Sequence, residues 1–96
     1  MPAYVIADIA VTDPAKYEGY KALSPGAVEK HGGRFIARGG QSAAMEGDWK
    51  PSRLVIIEFP SFEKAQTFYT SVEYTAARRA RAGATSRFNM VVVEGL

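Results

Sequence analysis

The sequence has no cysteine and a single histidine, His31. Disulfides, thiolate metal ligands and cysteine nucleophiles are therefore excluded. The carboxylates show no spacing typical of a metal site, so we expect no metal. Two glycine pairs flank a strand but form neither of the common phosphate-binding patterns, which leaves no nucleotide-binding loop.

Long apolar runs and a strong net charge are also missing. No run approaches the roughly 20 apolar residues of a membrane span, and the start, MPAYVIA, has no secretory signal pattern. The formal net charge of +2 requires no polyanionic partner. With 96 residues, of which 47% are hydrophobic, we predict one globular domain, residues 1–96, located in the cytoplasm.

What the sequence does contain is a series of strand-like runs. The most apolar run, Leu54 to Phe59, ends at Pro60, which has no N–H to give to a sheet. Alternation predicts a strand from Ala3 to Val11 with Asp8 in its middle, on the face opposite Val5, Ala7 and Ile9. The other predicted strands are Arg34 to Arg38 and Arg87 to Glu94, with a further short strand at 41–46.

Helix signals lie between the strands. Thr12-Asp13-Pro14 predicts a helix start, and Gly32-Gly33 its end, with one glycine left-handed. Pro25 predicts a kink, or a restart capped by Ser24. Serines are expected to cap two later helices, one after Ser61 and a short one after Ser71, from about Val72 to Ala82.

The predicted element order is that of a ferredoxin-like βαββαβ sandwich of the α+β class. Its antiparallel sheet has strand order 4-1-3-2, with the helices on one face. The other face has no cover, although its strands are apolar. We therefore expect it to be buried against a second subunit in a homodimer.

Two residues are candidate catalytic bases. His31 is predicted at the end of the first helix, where it is either a base or a surface histidine. Asp8 is predicted among apolar neighbours, where it is either a base or, as we favour, the ion-pair partner of a strand arginine.

Six further residues are candidate substrate-binding groups. Arginines on neighbouring strands can clamp a carboxylate or phosphate, or can pair with nearby carboxylates such as Glu58. Aromatic residues near loop and helix ends can wall a pocket, or can simply close the core. The candidates are Arg34, Arg38, Arg53, Trp49, Tyr69 and Tyr74.

Nucleic acid is not expected as a partner. The RNA-recognition fold has the same topology, but its central strands carry exposed aromatic residues that stack on bases. Here the central strand reads RLVIIEF. The cluster Arg78, Arg79 and Arg81 is interpreted as a solvated helix face.

Several segments together resemble a known family. YVIADIAVTDPAKYEGY, KHGGRFIARGG, EGDWKPSRLVIIEFPSFEKAQTFY, SVEYTAARRARAGA and VVVEGL are similar to the family catalogued as domain of unknown function 1330. The resemblance covers nearly the whole chain and implies a dimeric α+β barrel, in which the sheets of two subunits meet. Residues that recur in the family match all six candidate binding residues. One departure is Val72, where the family usually has proline.

The resemblance also implies a place for a site. Related barrel families, among them cofactor-independent monooxygenases, haem-degrading enzymes and muconolactone isomerases, place small molecules in the helix–sheet cleft. We expect a cleft that binds a small anionic or carbonyl-bearing molecule. The alternatives are a proton-transfer enzyme and an interaction protein whose cleft is filled by its own aromatics. No cofactor is expected, because a single histidine at a helix end is a poor haem ligand.

Overall fold

The computed structural model describes residues 1–96. The strands form one antiparallel sheet in the order β2-β3-β1-β4, which confirms the predicted ferredoxin-like topology. None of the helices has the length and apolar character needed to cross a bilayer. The elements are β1 (Ala3–Val11), α1 (Pro14–Lys30), β2 (Arg34–Arg38), β3 (Arg53–Phe59), α2 (Phe62–Thr70), α3 (Val72–Ala80) and β4 (Thr85–Glu94).

The helix starts follow the predicted caps. Asp13 accepts a hydrogen bond from the backbone N–H of Lys16, and Pro14 is the first helical residue of α1. Ser71 accepts one from the backbone N–H of Tyr74 at the start of α3. Gly32, after α1, has the predicted left-handed backbone, with φ of 79°.

One prediction is wrong, and one of two alternatives at Pro25 is excluded. The segment 41–46 is not a strand; it is exposed and has no regular structure. Gly39 turns the chain away from the sheet with φ of 71°, and the small residues that follow have little apolar surface to bury. The helix does not restart at Pro25, because α1 is continuous through it.

The core lies between the helices and one face of the sheet. Val5, Ala7 and Ile9 of β1 are buried there, as the alternation predicted. Phe68 of α2 joins the layers, since its ring centroid lies 4.9 Å from that of Phe59 and 4.3 Å from that of Tyr74. Such aromatic contacts add to the burial of apolar area.

One buried hydrogen bond ties α1 to α3. The hydroxyls of Tyr20 and Tyr74 are 2.6 Å apart, and both residues are buried. Burial and the neighbouring hydroxyl raise the pKa of Tyr20, so both groups are neutral phenols at ordinary pH. The pair therefore fixes where α3 lies on the sheet.

The other face of the sheet has no helix over it. Ile6 opposes Ile56 of β3 and Val91 of β4, which forms an apolar row across three strands. Val91 and Val93 are 60% and 49% exposed. We call this surface the outer face; no helix of the chain covers its apolar row.

Candidate functional site

A cleft of about 550 Å³ opens on the helix side of the sheet, between α2, the residue after α3 and β4. α2 has nine residues and β4 has ten, or about 14 Å of helix against about 34 Å of strand, so part of β4 stays uncovered. Eight of the twelve residues that line the cleft are hydrophobic. The lining includes Val5, Ala65, Phe68, Tyr69, Phe88, Met90 and Val92, with polar Gln66, Thr70, Arg81 and Asn89.

Arg81 is the only charged residue in this lining. Its guanidinium carbon lies 3.6 Å from the ring centroid of Phe88 and 5.5 Å from that of Tyr20. Its Nε is buried and has no hydrogen-bond acceptor, and no carboxylate pairs with it. Most buried polar atoms have a partner, so this donor stands out among the residues that line the cleft.

Tyr69 lines the same cleft from α2. Its ring centroid is 5.8 Å from that of Tyr74, and the guanidinium of Arg78 lies 4.4 Å from the Tyr69 ring centroid. Tyr74 is fully buried behind it. Tyr69 thus presents to the cleft a ring that is fixed on both sides.

Asp8 and Trp49 lie on the outer face, away from the cleft. The Asp8 carboxylate accepts hydrogen bonds from Trp49 Nε1 at 2.9 Å, the Ser52 backbone N–H at 3.1 Å, and Arg87 Nε and Nη2 at 3.1 and 3.2 Å. The Trp49 hydrogen bond, helped by Arg87 and Ser52, holds the pKa of Asp8 below its usual value. Asp8 is therefore ionised, and its oxygens are occupied by hydrogen bonds. This agrees with the favoured ion-pair interpretation, and the strand arginine that pairs with it is Arg87 of β4.

Arg34 is also on the outer face. Its Nε donates to Glu58 Oε1 at 2.7 Å, and the hydroxyl of Tyr4 donates to Glu58 Oε2 at 3.3 Å. The Arg34 guanidinium lowers the pKa of Glu58. Pairing with Glu58 was the alternative foreseen for Arg34.

His31 lies where α1 ends and α3 begins. Its Nε2 is 3.3 Å from Glu73 Oε1, and Lys30 Nζ is 2.9 Å from Glu73 Oε2. The Lys30 hydrogen bond, with that of His31, lowers the pKa of Glu73 to about 2. His31 is part-buried against Phe68 but does not line the cleft.

Arg38 and Arg53 lie on the helix side, near Tyr17 rather than in the cleft. The guanidinium carbon of Arg53 is 6.0 Å from the Tyr17 ring centroid, and that of Arg38 is 4.4 Å from the Phe35 ring centroid. Burial raises the pKa of Tyr17, and the positive charge of Arg53 opposes that rise.

The structure thus divides the predicted site residues among several places. Only Tyr69 lines the cleft, with Tyr74 behind it. The residue that sequence reasoning missed is Arg81, which was grouped with its exposed neighbours. The spacing of Tyr74, Ala77 and Arg81 contained the signal, because positions three and four apart share a helix face and two of these are core residues.

Comparison with known proteins identifies a family and several solved structures with the same fold. A family model described as domain of unknown function (DUF1330) matches residues 2–96. No protein among those with curated descriptions matches the chain. Solved structures with 16–20% identity share the fold.

RPA0582 of Rhodopseudomonas palustris, a protein of unknown function, is 19% identical with a TM-score of 0.75, over 99% of this chain and 82% of its own. A Nitrosomonas europaea protein, provisionally named an antibiotic biosynthesis monooxygenase, is 20% identical with a TM-score of 0.62. The match covers 100% of this chain and 99% of that protein. A protein of Thermobifida fusca, described as dimeric, ferredoxin-like and of unknown function, is 16% identical with a TM-score of 0.62. The match covers 99% of this chain and 92% of that protein.

Proposed function

We propose that this chain, which belongs to the DUF1330 family, binds a small and largely apolar organic molecule through a carboxylate or carbonyl group. The observation that carries the proposal is Arg81, whose buried Nε has no acceptor at the wall of the cleft. A guanidinium is planar and presents its donors as a fork, which fits a carboxylate. The apolar lining then takes the body of the ligand.

The shape of the wall favours a ligand with a flat ring. Phe88 and Tyr69 expose aromatic surface to the cleft, and aromatic rings pack well in offset or edge contacts. Arg81 lies over the Phe88 ring. If Arg81 binds the acid group of a ligand, the ring of that ligand therefore lies beside Phe88 and Tyr69. An aromatic carboxylate satisfies both requirements.

Binding accounts for the lining better than proton transfer does. No carboxylate and no histidine lines the cleft, so a general base is missing from its wall. The two candidate bases lie elsewhere: Asp8 is held by four hydrogen bonds, and His31 contacts Glu73. Cofactor-independent oxygenation is the enzymatic alternative, favoured by the name of the Nitrosomonas europaea relative.

The proposed assembly is a homodimer formed through the outer face. Its apolar row of Ile6, Ile56 and Val91 has no cover within the subunit, and two related proteins of the same fold are described as dimeric. We expect Val91→Glu to shift the protein to monomers in analytical ultracentrifugation, since a buried unpaired charge is costly. Val72→Glu, on an exposed helix position, should leave a dimer. A monomeric wild type would contradict the assignment.

Calorimetric titration with a panel of aromatic and aliphatic carboxylates tests the ligand site. Arg81→Met keeps the apolar stem but loses the fork, and we expect it to weaken binding by roughly 10- to 100-fold. Arg79→Met removes the same charge from an exposed position nearby and should bind like the wild type. Equal affinity in the Arg81 variant, or no binding by any member of the panel, would refute the proposal. Oxygen uptake during the same titrations would establish the enzymatic alternative.

A further inference from the structure

We propose that Arg38 and Arg53 form a second site, separate from the cleft, for the phosphate group of a small molecule. The two arginines come from neighbouring strands. Arg38 opposes Val55 in the β2–β3 pairing, and Arg53 lies two residues from Val55 on the same strand. They are therefore diagonal neighbours, about 7–8 Å apart at their Cα atoms and on the same side of the sheet.

Neither guanidinium has a partner of opposite charge. The ion pairs of the structure involve Lys21, Lys30, His31, Arg34 and Arg87 only. Arg53 Nε is buried and has no hydrogen-bond acceptor. Two unpaired cations on one patch repel each other, and an oxyanion between them would remove that repulsion.

The backbone at Gly39 lies against the Arg53 side chain. Gly39 follows Arg38, has φ of 71°, and its N–H donates to Leu54 O at 2.8 Å. A Cβ at Gly39 would collide with the terminal nitrogen and central carbon of the Arg53 guanidinium. The Gly39 backbone therefore lies directly beside the Arg53 guanidinium, at a positive φ that favours glycine.

The chemistry of this pair favours phosphate. Each guanidinium can give two parallel N–H donors, and two forks together match the several oxygens of a phosphate group better than the two of a carboxylate. Tyr17 lies beside Arg53 and remains a neutral phenol, because burial raises its pKa. The apolar ring of Phe35 under Arg38 holds that side chain on the patch.

This site and the cleft lie on the same side of the sheet but over different strands. Ile9 of β1 opposes Arg53 on one side and Phe88, under Arg81, on the other. Two strand spacings amount to about 10 Å, with the rings of Tyr17 and Tyr20 above. The second site therefore does not depend on the proposed function, and each can fail without the other.

Nuclear magnetic resonance can observe both sites at once. A buried arginine Nε–H exchanges slowly, so Arg53 and Arg81 should each give a resonance, assigned by Arg→Lys variants. Inorganic phosphate and phenyl phosphate are the probes, at constant ionic strength set with chloride. We expect the Arg53 resonance to shift and saturate with a Kd of about 1 mM or below, while the Arg81 resonance moves only with aromatic carboxylates. Tighter binding of phenyl phosphate indicates an organic phosphate; equal binding indicates free phosphate.

Variants distinguish a built site from general attraction. Arg38→Ala should weaken phosphate binding by roughly 10- to 100-fold, and Gly39→Ala should also weaken it, because a Cβ there meets the Arg53 guanidinium and must displace it. Gly47→Ala is the matched control, because Gly47 also has a positive φ but meets nothing within 4 Å. Phosphate-induced changes in melting temperature provide the same comparison without the resonances. The proposal is overturned if phosphate leaves wild-type Arg53 unmoved, or if Arg38→Ala binds as tightly as the wild type.

Discussion

Removing the hydroxyls of Tyr20 and Tyr74 one at a time and together tests how α1 holds α3. The two oxygens are 2.6 Å apart, and both residues are buried. Tyr74→Phe leaves a buried Tyr20 hydroxyl without a partner, which costs about 1–3 kcal/mol of unfolding free energy. Tyr20→Phe should cost less unfolding free energy. The Tyr74 hydroxyl that remains still lies near the Arg81 guanidinium, whose charge opposes the rise that burial causes in the pKa of Tyr74.

The double variant should be more stable than the sum of the single changes predicts. With both hydroxyls gone, two apolar rings of nearly the same shape remain, and neither hydroxyl is left buried without the other. We expect an interaction free energy of about 1–3 kcal/mol between the two positions. In a chain of this size, each 1 kcal/mol moves the melting temperature by about 4–8 °C.

Urea unfolding followed by far-ultraviolet circular dichroism measures all four proteins. The protein concentration must be the same throughout, because unfolding of a dimer depends on it. Tyr69→Phe is the control: its hydroxyl makes no hydrogen bond within the chain and the residue is only partly buried, so its midpoint should not move. Strictly additive costs for the two single variants would show that the hydroxyls are not coupled and would refute the reasoning.

Three further variants test the outer face and the glycines. Asp8→Asn should loosen Trp49 and make cleavage after it by chymotrypsin faster. Because the pKa of Asp8 is lowered from 3.8, its contribution to stability is complete above that value and is lost as the pH falls further; the gap in stability between wild type and Asp8→Asn should narrow in acid, and a constant gap would contradict this. Gly33→Ala should destabilise the fold by about 1–3 kcal/mol, because the new Cβ would lie 2.6 Å from the Phe59 ring. Gly26→Ala, with open space inside α1, should instead stabilise it by up to about 1 kcal/mol in thermal unfolding.

The fold could be predicted because its signals are local. Alternation in β1, the proline at the start of α1 and the serine caps each act within a few residues, and together they permit one chain topology. The wrong prediction is the strand at 41–46, and at Pro25 the sequence left open a restart that does not occur. In both, the outcome depends on what the rest of the molecule offers to pack against, and this is not encoded within the segment.

The site was harder to predict, because it depends on which neighbour each side chain meets. Asp8 is opposite Asn89 in the sheet, yet its ion-pair partner is Arg87. Arg81 looks like Arg79 in the sequence, but one faces Phe88 and the other faces solvent. Long flexible side chains of one type can be told apart only when the packing around them is known.

The position of β1 in the sheet has a consequence for the nascent chain. β1 is made early, but its neighbours are residues 53–59 and 85–94. At about 5–20 residues per second, β1 waits several seconds on the ribosome with both of its hydrogen-bonding edges free. A strand of this composition can then pair with other chains, and a charge in its middle opposes such pairing. Asp8, which anchors Trp49 in the finished protein, is the charge at that position in β1.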